Sequence, residues 1–286
     1  MNFILKTILR IGNYLQNLAL KIYIFIFGRP AMQKYNDKFF SFVLHARGYD
    51  NYYNEKRTGE HQFLNYLKKT NPKICIDIGA NIGDYSKYLL ETTNATVYAF
   101  EPLPDTFNKL NNLTKNYPNR FFPINMGVGE INSELELNFD YDNSTLASFS
   151  SSVNEIDYVG AVNKNKLLVP VITLDNFITQ NFENTSVEID LIKIDTEGFE
   201  YEVLIGAKNT IIKNKPKYIQ IENNWHQLFK SQSLYNLSKL LINYRAFQFL
   251  PYGGMIERDL KRPESNIYLF SNFLFVRKDL HILNEK

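Results

Sequence analysis

Six ionisable side chains fall where they could share one reaction: Asp77, Glu101, Asp195, Glu197, Glu222 and His226. Four of them close short apolar runs, "ICID", "VYAFE", "LIKID" and "YIQIE", and Asn125 closes a fifth, "FFPIN". A carboxylate at such a position can accept hydrogens from the hydroxyls of a ribose. It can also take a proton from a weakly acidic alcohol, or ligate a hard cation through oxygen. Asp195, Glu197, Glu222 and His226 are the candidates for proton transfer. His226 serves either as a base near neutral pH or as a hydrogen-bonded structural residue beside Trp225. Asp195, Glu222 and Asn223 or Asn224 could bind Mg²⁺, or the acids could simply orient substrate hydroxyls. Lys193, two residues before Asp195, reads as its structural ion-pair partner. Glu200 and Glu202 read as solvated acids in the first turn of a helix.

The elements that must position these groups alternate. Strands are expected at Ile74–Ile78, Thr96–Phe100, Phe121–Asn125, Leu191–Asp195, Tyr218–Glu222, Phe247–Leu250 and Asn272–Arg277. Helical stretches intervene at about 83–91, 105–116, 200–213 and 233–243. This rhythm predicts an α/β fold with a mostly parallel sheet covered by helices on both faces. In such sheets the ligand sits outside the carboxyl ends of the strands, where the polar residues named above collect. Residues 128–172 break the rhythm. "SELELNF" alternates as an exposed strand and "NSTLASFSSS" is small and polar, so an insertion with a hairpin and a substrate-facing loop is expected.

The turn after the first strand, "DIGANIG", contains Asp77, Gly79, Ala80, Asn81 and Gly83. Strand, glycine turn and helix in that order bring backbone N–H groups to one point, and Glu101 ends the next strand. A dinucleotide dehydrogenase uses similar geometry, but its fingerprint is G-x-G-x-x-G, whereas here the spacing is Gly79-x-x-x-Gly83 with an acid just before. An acid suits a sulfonium ligand carrying an ammonium group better than a pyrophosphate, so S-adenosylmethionine fits better than NAD. No P-loop is present.

Together "CIDIGANIGDYS", "VYAFEPLPDTFNKL", "LIKIDTEGFEYEVLIGA" and "KPKYIQIENNWHQLF" resemble the FkbM family of S-adenosylmethionine-dependent methyltransferases, from about Gly59 to Arg277. The resemblance implies a Rossmann-like sheet of seven strands with the last, "SNFLFVR", antiparallel. It implies O-methylation of a hydroxyl, commonly on sugars of surface glycans or on natural products. By the same resemblance Asp77, Gly79 and Asn81 line the methionine end of the cofactor, Glu101 holds the ribose, and Asn125 with Met126 lies near the adenine. Ala80, Gly83 and Pro102 complete the expected cofactor-binding set. A non-catalytic scaffold with this fold and an NAD-dependent oxidoreductase are the alternatives.

The 286 residues divide, on this reading, into an N-terminal extension, 1–58, and a methyltransferase domain, 59–286. A hydrophobic share of 44% and a charged share of 22% are those of a globular protein, and a net charge of +2 points away from a nucleic-acid partner. Cys75 is the sole cysteine, which excludes an internal disulfide and fits a reducing, cytoplasmic compartment. Before Asp37 there are only basic charges, among them Lys6, Arg10, Lys21, Arg29 and Lys34. Ile4, Ile8, Ile11, Leu15, Leu18 and Ile22 recur at helical spacing, so residues 1–28 form an amphipathic helix rather than a membrane span. It packs on protein or lies against the inner face of an anionic membrane. The expected acceptor is a sugar or a lipid-linked glycan, and the sequence says nothing of the oligomeric state.

Overall fold

A computed structural model describes residues 3–50, 58–141, 146–150, 163–182 and 187–281. The chain divides into two compact units, Met1–Arg47 and Gly48–Lys286. In the first, helix α1 (Phe3–Phe27) is followed by α2 (Gln33–Ala46). The corner between them is held by side chains: the Tyr23 hydroxyl donates to Asn36 Oδ1 at 2.8 Å, and Asn36 Nδ2 donates to the Phe27 carbonyl at 2.9 Å.

The second unit opens with α3 (Gly59–Lys69), whose cap Thr58 accepts from the His61 amide and whose last turn carries Lys68 and Lys69. Then come β1 (Ile74–Ile78), α4 (Asp84–Thr92), β2 (Thr96–Phe100), α5 (Pro104–Asn111) and β3 (Phe121–Ile124). The insertion supplies β4 (Gly127–Val128), β5 (Ser133–Phe139) and β6 (Asn165–Ile172). The chain returns through α6 (Leu174–Asn181), β7 (Leu191–Ile194), α7 (Glu200–Gly206), α8 (Lys208–Lys213) and β8 (Tyr218–Asn223). It ends with α9 (His226–Phe229), α10 (Leu234–Leu240), β9 (Tyr244–Phe249), β10 (Met255–Glu257) and β11 (Ser271–Arg277).

The main sheet runs β10-β9-β11-β8-β7-β1-β2-β3. Strands β3, β2, β1, β7 and β8 are parallel, and β11 is inserted antiparallel between β8 and β9. The expected antiparallel "SNFLFVR" is β11. An eighth strand, β10, extends the seven by hairpin pairing with β9. Its residues, "MIE", are too few to announce a strand, and only the backbone of β9 makes them one.

The two-residue period of the strands feeds two cores. Ile76, Ile78, Ile192, Ile194 and Ile219 face α6, α7, α8 and α10; Cys75, Val97, Ala99 and Leu191 face α3, α4 and α5. Truncating one such buried isoleucine to alanine costs about 2–5 kcal/mol, which is why these near-continuous apolar runs fix strand register firmly.

The insertion forms a small sheet of its own, ordered β4-β6-β5. "SELELNF" is its β5, but the hairpin partner is the distant "NKLLVPVI" of β6, paired antiparallel from Ser133↔Val171 to Phe139↔Asn165. Part of the expected substrate-facing loop lies outside the described residues. Residues 146–150 are described and are pinned: Asn138 and Ser148 exchange backbone hydrogen bonds of 2.8 and 2.9 Å.

Candidate active site

Where β1, β2 and β7 end, a cleft opens between their loops and the small sheet. Gly79, Asn81, Glu101, Pro102, Asp195 and Glu197 form the polar side. Phe100, Met126, Val128, Leu137 and Phe149 form the apolar side. Of the polar residues expected at the sheet's carboxyl edge, Glu101 and Asp195 line this cleft, whereas Asp77, Asn125 and Glu222 do not.

The backbone amides of the glycine turn are all engaged. The amides of Gly79 and Ala80 both donate to the Phe100 carbonyl, at 3.0 and 2.9 Å. The Asn81 amide donates to Glu101 Oε2 at 3.0 Å, that of Ile82 to Asn81 Oδ1 at 2.7 Å, and that of Gly83 to the Ala80 carbonyl. The expectation of N–H groups waiting for a ligand is therefore corrected: the turn spends them on holding Glu101 and β2. What the glycines supply is space. Gly79 sits at φ +79°, and a Cβ there would fall on the Asp195 carbonyl oxygen. Gly83, at φ +94°, starts α4, and a Cβ there would meet Leu110 and Leu113 of the next helical segment.

Asp77 answers to the interior instead of the cleft. It is fully buried; Ser86 donates to its Oδ2 at 2.7 Å, and its Oδ1 faces Lys193 Nζ at 3.6 Å. The expected contact with the methionine end of a cofactor is thus corrected to a support role. Asp77 points to the α4 side of the sheet because Ile76 and Ile78 take the other side. Lys193 lies between Asp77 and Asp195, 2.9 Å from Asp195 Oδ2, and forms the structural ion pair its position predicts. The two carboxylates raise its affinity for a proton against the cost of burial.

Glu101 is buried with both oxygens engaged. Oε1 accepts from the Leu103 amide at 2.8 Å, and Oε2 from Asn81. Each oxygen keeps a lone pair. Burial pushes its carboxyl up to about 7, and the two amides restrain that rise. Asn125 does not line the cleft. Its Nδ2 donates to the carbonyls of Glu101 and Pro102, at 2.8 and 3.1 Å, and so fixes the end of β2. Met126 does line the cleft.

On the other wall, Asp195, Glu197 and Glu222 bring carboxylate oxygens within 4.8 Å of one another. Burial would raise Asp195, but Lys193 and a proton shared with Glu222 hold it below the usual carboxylate range. Burial and the Asp195 charge push Glu197 up to about 8. Glu222, sealed behind them, is driven well above the ordinary value by burial and then by Asp195. Asn224 Nδ2 bridges the pair, donating to Glu222 Oε1 at 2.7 Å and Glu197 Oε2 at 3.1 Å. Three acids this close can share protons or hold a hard divalent cation. Glu197 is the one of these that both lines the cleft and titrates near neutrality.

His226 is wholly buried and does not reach the cleft. Trp225 stacks on it at 3.7 Å between centroids, and a Cβ on Gly198 would come within 2.6 Å of its Cβ. Its Nε2 lies 3.3 Å from Glu197 Oε2, close but not aligned as a hydrogen bond. Burial lowers the imidazole to about 4, so it is neutral around pH 7. It packs beside Trp225 as one of its two expected roles has it, but without the expected hydrogen bond: neither ring nitrogen has a hydrogen-bond partner among the described residues, and the ring forms a wall against Glu197.

Glu200, expected as a solvated acid of the first helical turn, is the clearest correction. It is buried, not solvated; its Oε1 accepts from the Thr196 amide and hydroxyl and from the Gly198 amide, at 3.0, 2.9 and 3.1 Å. Gln227 Nε2 donates to its Oε2 at 2.7 Å. This carboxylate shapes the loop in which Glu197 adopts φ +50°. Threonine four residues ahead of a glutamate was the available signal, a relative of the capping box. Glu202 is not a free surface acid either: it pairs with Lys230 at 2.6 Å.

The model of the methyltransferase FkbM domain matches residues 77–249, more than half of the chain. The chain belongs to the FkbM methyltransferase family. A hexuronic acid methyltransferase, AglP, of Haloferax volcanii is 27% identical over 136 residues, 47% of this chain and 50% of that protein. The match thus spans about half the length of this curated relative. Among solved structures, an rRNA methylase of Streptococcus thermophilus aligns at 10% identity with a TM-score of 0.40, covering 77% of this chain and 96% of that one. The SAH-bound methyltransferase PaMTH1 of Podospora anserina aligns at 12% identity and a TM-score of 0.40, covering 76% and 77%. Scores this low assign nothing further to the FkbM chain.

Proposed function

We propose that this FkbM protein transfers the methyl group of S-adenosylmethionine to a hydroxyl of a sugar. The observation that carries the cofactor assignment is the closed hydrogen bonding of residues 79–83 beside three cleft carboxylates. A pyrophosphate would meet no unused backbone amides in the turn, and beside them the ionised Asp195 and a Glu101 poised at about 7. A sulfonium with its ammonium group would instead draw Glu101 into its charged form and face Asp195. Glu101 keeps lone pairs for two ribose hydroxyls, and the apolar side at Met126 and Phe100 suits the adenine ring. An NAD-dependent oxidoreductase is disfavoured on the same ground.

When bound, S-adenosylmethionine would supply the methyl carbon for the acceptor oxygen, the new O–C bond replacing an S–C bond whose electron pair would stay on sulfur. Positioning supplies much of the acceleration. The hydroxyl proton passes to Glu197, which must be ionised to take it. Asp195, held ionised by Lys193, supports the cation and keeps Glu197 basic. The acidic trio could alternatively hold Mg²⁺, which would lower the pKa of the acceptor hydroxyl.

The relative named for hexuronic acid directs attention to sugars. A hexuronic acid presents both hydroxyls and a carboxylate, and the two differ in need: a carboxylate requires no base and is repelled by the ionised Asp195. The acidic wall therefore favours a hydroxyl. The test is to incubate the protein with methyl-labelled S-adenosylmethionine and sugar or lipid-linked glycan acceptors, then treat the product with mild alkali. Alkali-stable label, an ether, is expected. Alkali-labile label would make the acceptor a carboxylate, and cofactor binding without turnover on any acceptor would favour the scaffold reading.

A further inference from the structure

Residues 1–47 carry seven basic side chains and a single acid, Asp37, a net charge of +6, so the remaining chain carries −4. This charge sits on helices that expose apolar faces. Along α1, Ile11, Leu15, Leu18, Ile22 and Phe25 recur at spacings of four and three, and all are exposed, Phe25 by 70%. Lys6, Arg10 and Lys21 are exposed on the remaining surface. Along α2, Tyr35, Phe39, Phe42 and Val43 repeat the pattern and are likewise exposed, with Lys34 and Lys38 beside them. Basic groups cover the rims of these faces: Arg29 lies over the Phe25 ring at 5.1 Å and Lys38 over Phe42 at 5.9 Å.

What covers such a surface must be apolar and anionic together. A second copy of the unit is apolar but brings another +6 and almost no acid, so self-association sets like charges against each other. A bilayer carrying anionic headgroups offers both properties: acyl chains for the aromatic and aliphatic rows, phosphates for the lysines and arginines at their edges. No helix among the described residues is long and apolar enough to cross a membrane, so the contact is with the surface. We propose that the unit formed by α1 and α2 docks the chain on an anionic lipid surface, with both helices lying in the interface. This is independent of the reaction assigned to the cleft; it places that reaction beside lipid.

Flotation of the full chain with vesicles decides it. With phosphatidylcholine vesicles containing about a quarter phosphatidylglycerol, the protein is expected to float at low salt and to be released by about 0.5 M salt, since headgroup attraction fades within a Debye length. Pure phosphatidylcholine should retain it at least about tenfold less. The triple variant Lys6→Glu, Arg10→Glu, Lys21→Glu should lose about tenfold or more in anionic-vesicle binding, and Phe39→Ser with Phe42→Ser should lose binding at every salt concentration. These positions are exposed, and an unchanged helical circular-dichroism signal of the full chain verifies that the variants keep α1 and α2. Failure to bind anionic vesicles, or binding indifferent to the charge reversals, overturns the proposal. So does a concentration-dependent dimer that the Phe39 and Phe42 changes abolish while vesicle binding is absent.

Discussion

Glu101 and Glu197 divide the work of the cleft, and the two should separate on mutation. Glu101→Ala removes the acceptor for the ribose hydroxyls and frees two amides that it holds, so affinity for S-adenosylhomocysteine should fall by tenfold or more, with the circular dichroism unchanged. Unaltered affinity would remove Glu101 from the binding site. Glu197→Gln keeps the shape and loses the base; kcat should drop by about 10²–10³ while cofactor affinity stays within a few fold. Because Glu197 must be ionised to act, the wild-type rate should rise with pH through about 8 and fall away below it. A rate independent of pH from 6 to 9 would exclude this proton acceptor. At this scale the sequence was half legible. Carboxylates at strand ends are visible as letters, but which way each points depends on strand alternation and on what lies behind. Asp77 and Asn125 look equivalent to Glu101 in the sequence, yet both turn away from the cleft: Asp77 holds Ser86 and faces Lys193, and Asn125 braces the Glu101 and Pro102 carbonyls. The buried role of Glu200 was hidden because a first-turn glutamate is usually solvated, and only the fold of 196–198 around it shows otherwise.

At the scale of elements, the site depends on two backbone segments meeting. The turn after β1 passes so near the loop after β7 that Gly79 has no room for a Cβ beside the Asp195 carbonyl. Gly79→Ala adds a methyl against backbone and also imposes strain at φ +79°, each worth about 1–3 kcal/mol, so it should lower Tm by several degrees and abolish cofactor binding. A variant with wild-type Tm and affinity would show that the two loops do not meet as described. The strands that carry these loops were the most readable part of the chain, because burial on both faces makes each an unbroken apolar word bounded by turn residues. The small sheet was the least readable. Its β6 begins with exposed positions and pairs with a strand about thirty residues earlier, a choice made by tertiary contact that local pattern does not encode. The split of the expected helix at 200–213 into α7 and α8 around Ala207 was likewise silent.

Over the whole molecule, the site's buried acids bear on stability. Glu101 and Glu197 bind protons in the folded protein up to pH about 7 and about 8, against 4.5 for an unperturbed glutamate. Folding therefore takes up protons across that window, and the stability they contribute is fullest below 4.5 and is lost as pH rises through 7 and 8. His226 has the opposite sign: neutral in the fold down to about 4 against 6.5, it favours folding above 6.5 and loses that contribution as pH falls toward 4. The terms oppose one another below 6.5, and above it the glutamates act alone. Tm of the ligand-free protein should therefore decline from pH 6.5 to 8.5, and the Glu197→Gln variant should flatten the decline; a Tm rising over that range would contradict these burials. The central claim, that the cleft is built for a sulfonium cofactor, is tested most directly by calorimetric titration of the full chain with S-adenosylmethionine, S-adenosylhomocysteine and NAD. Saturable one-to-one binding of the adenosyl compounds with no heat from NAD is the predicted result. Binding of NAD, or of none of the three, would contradict it.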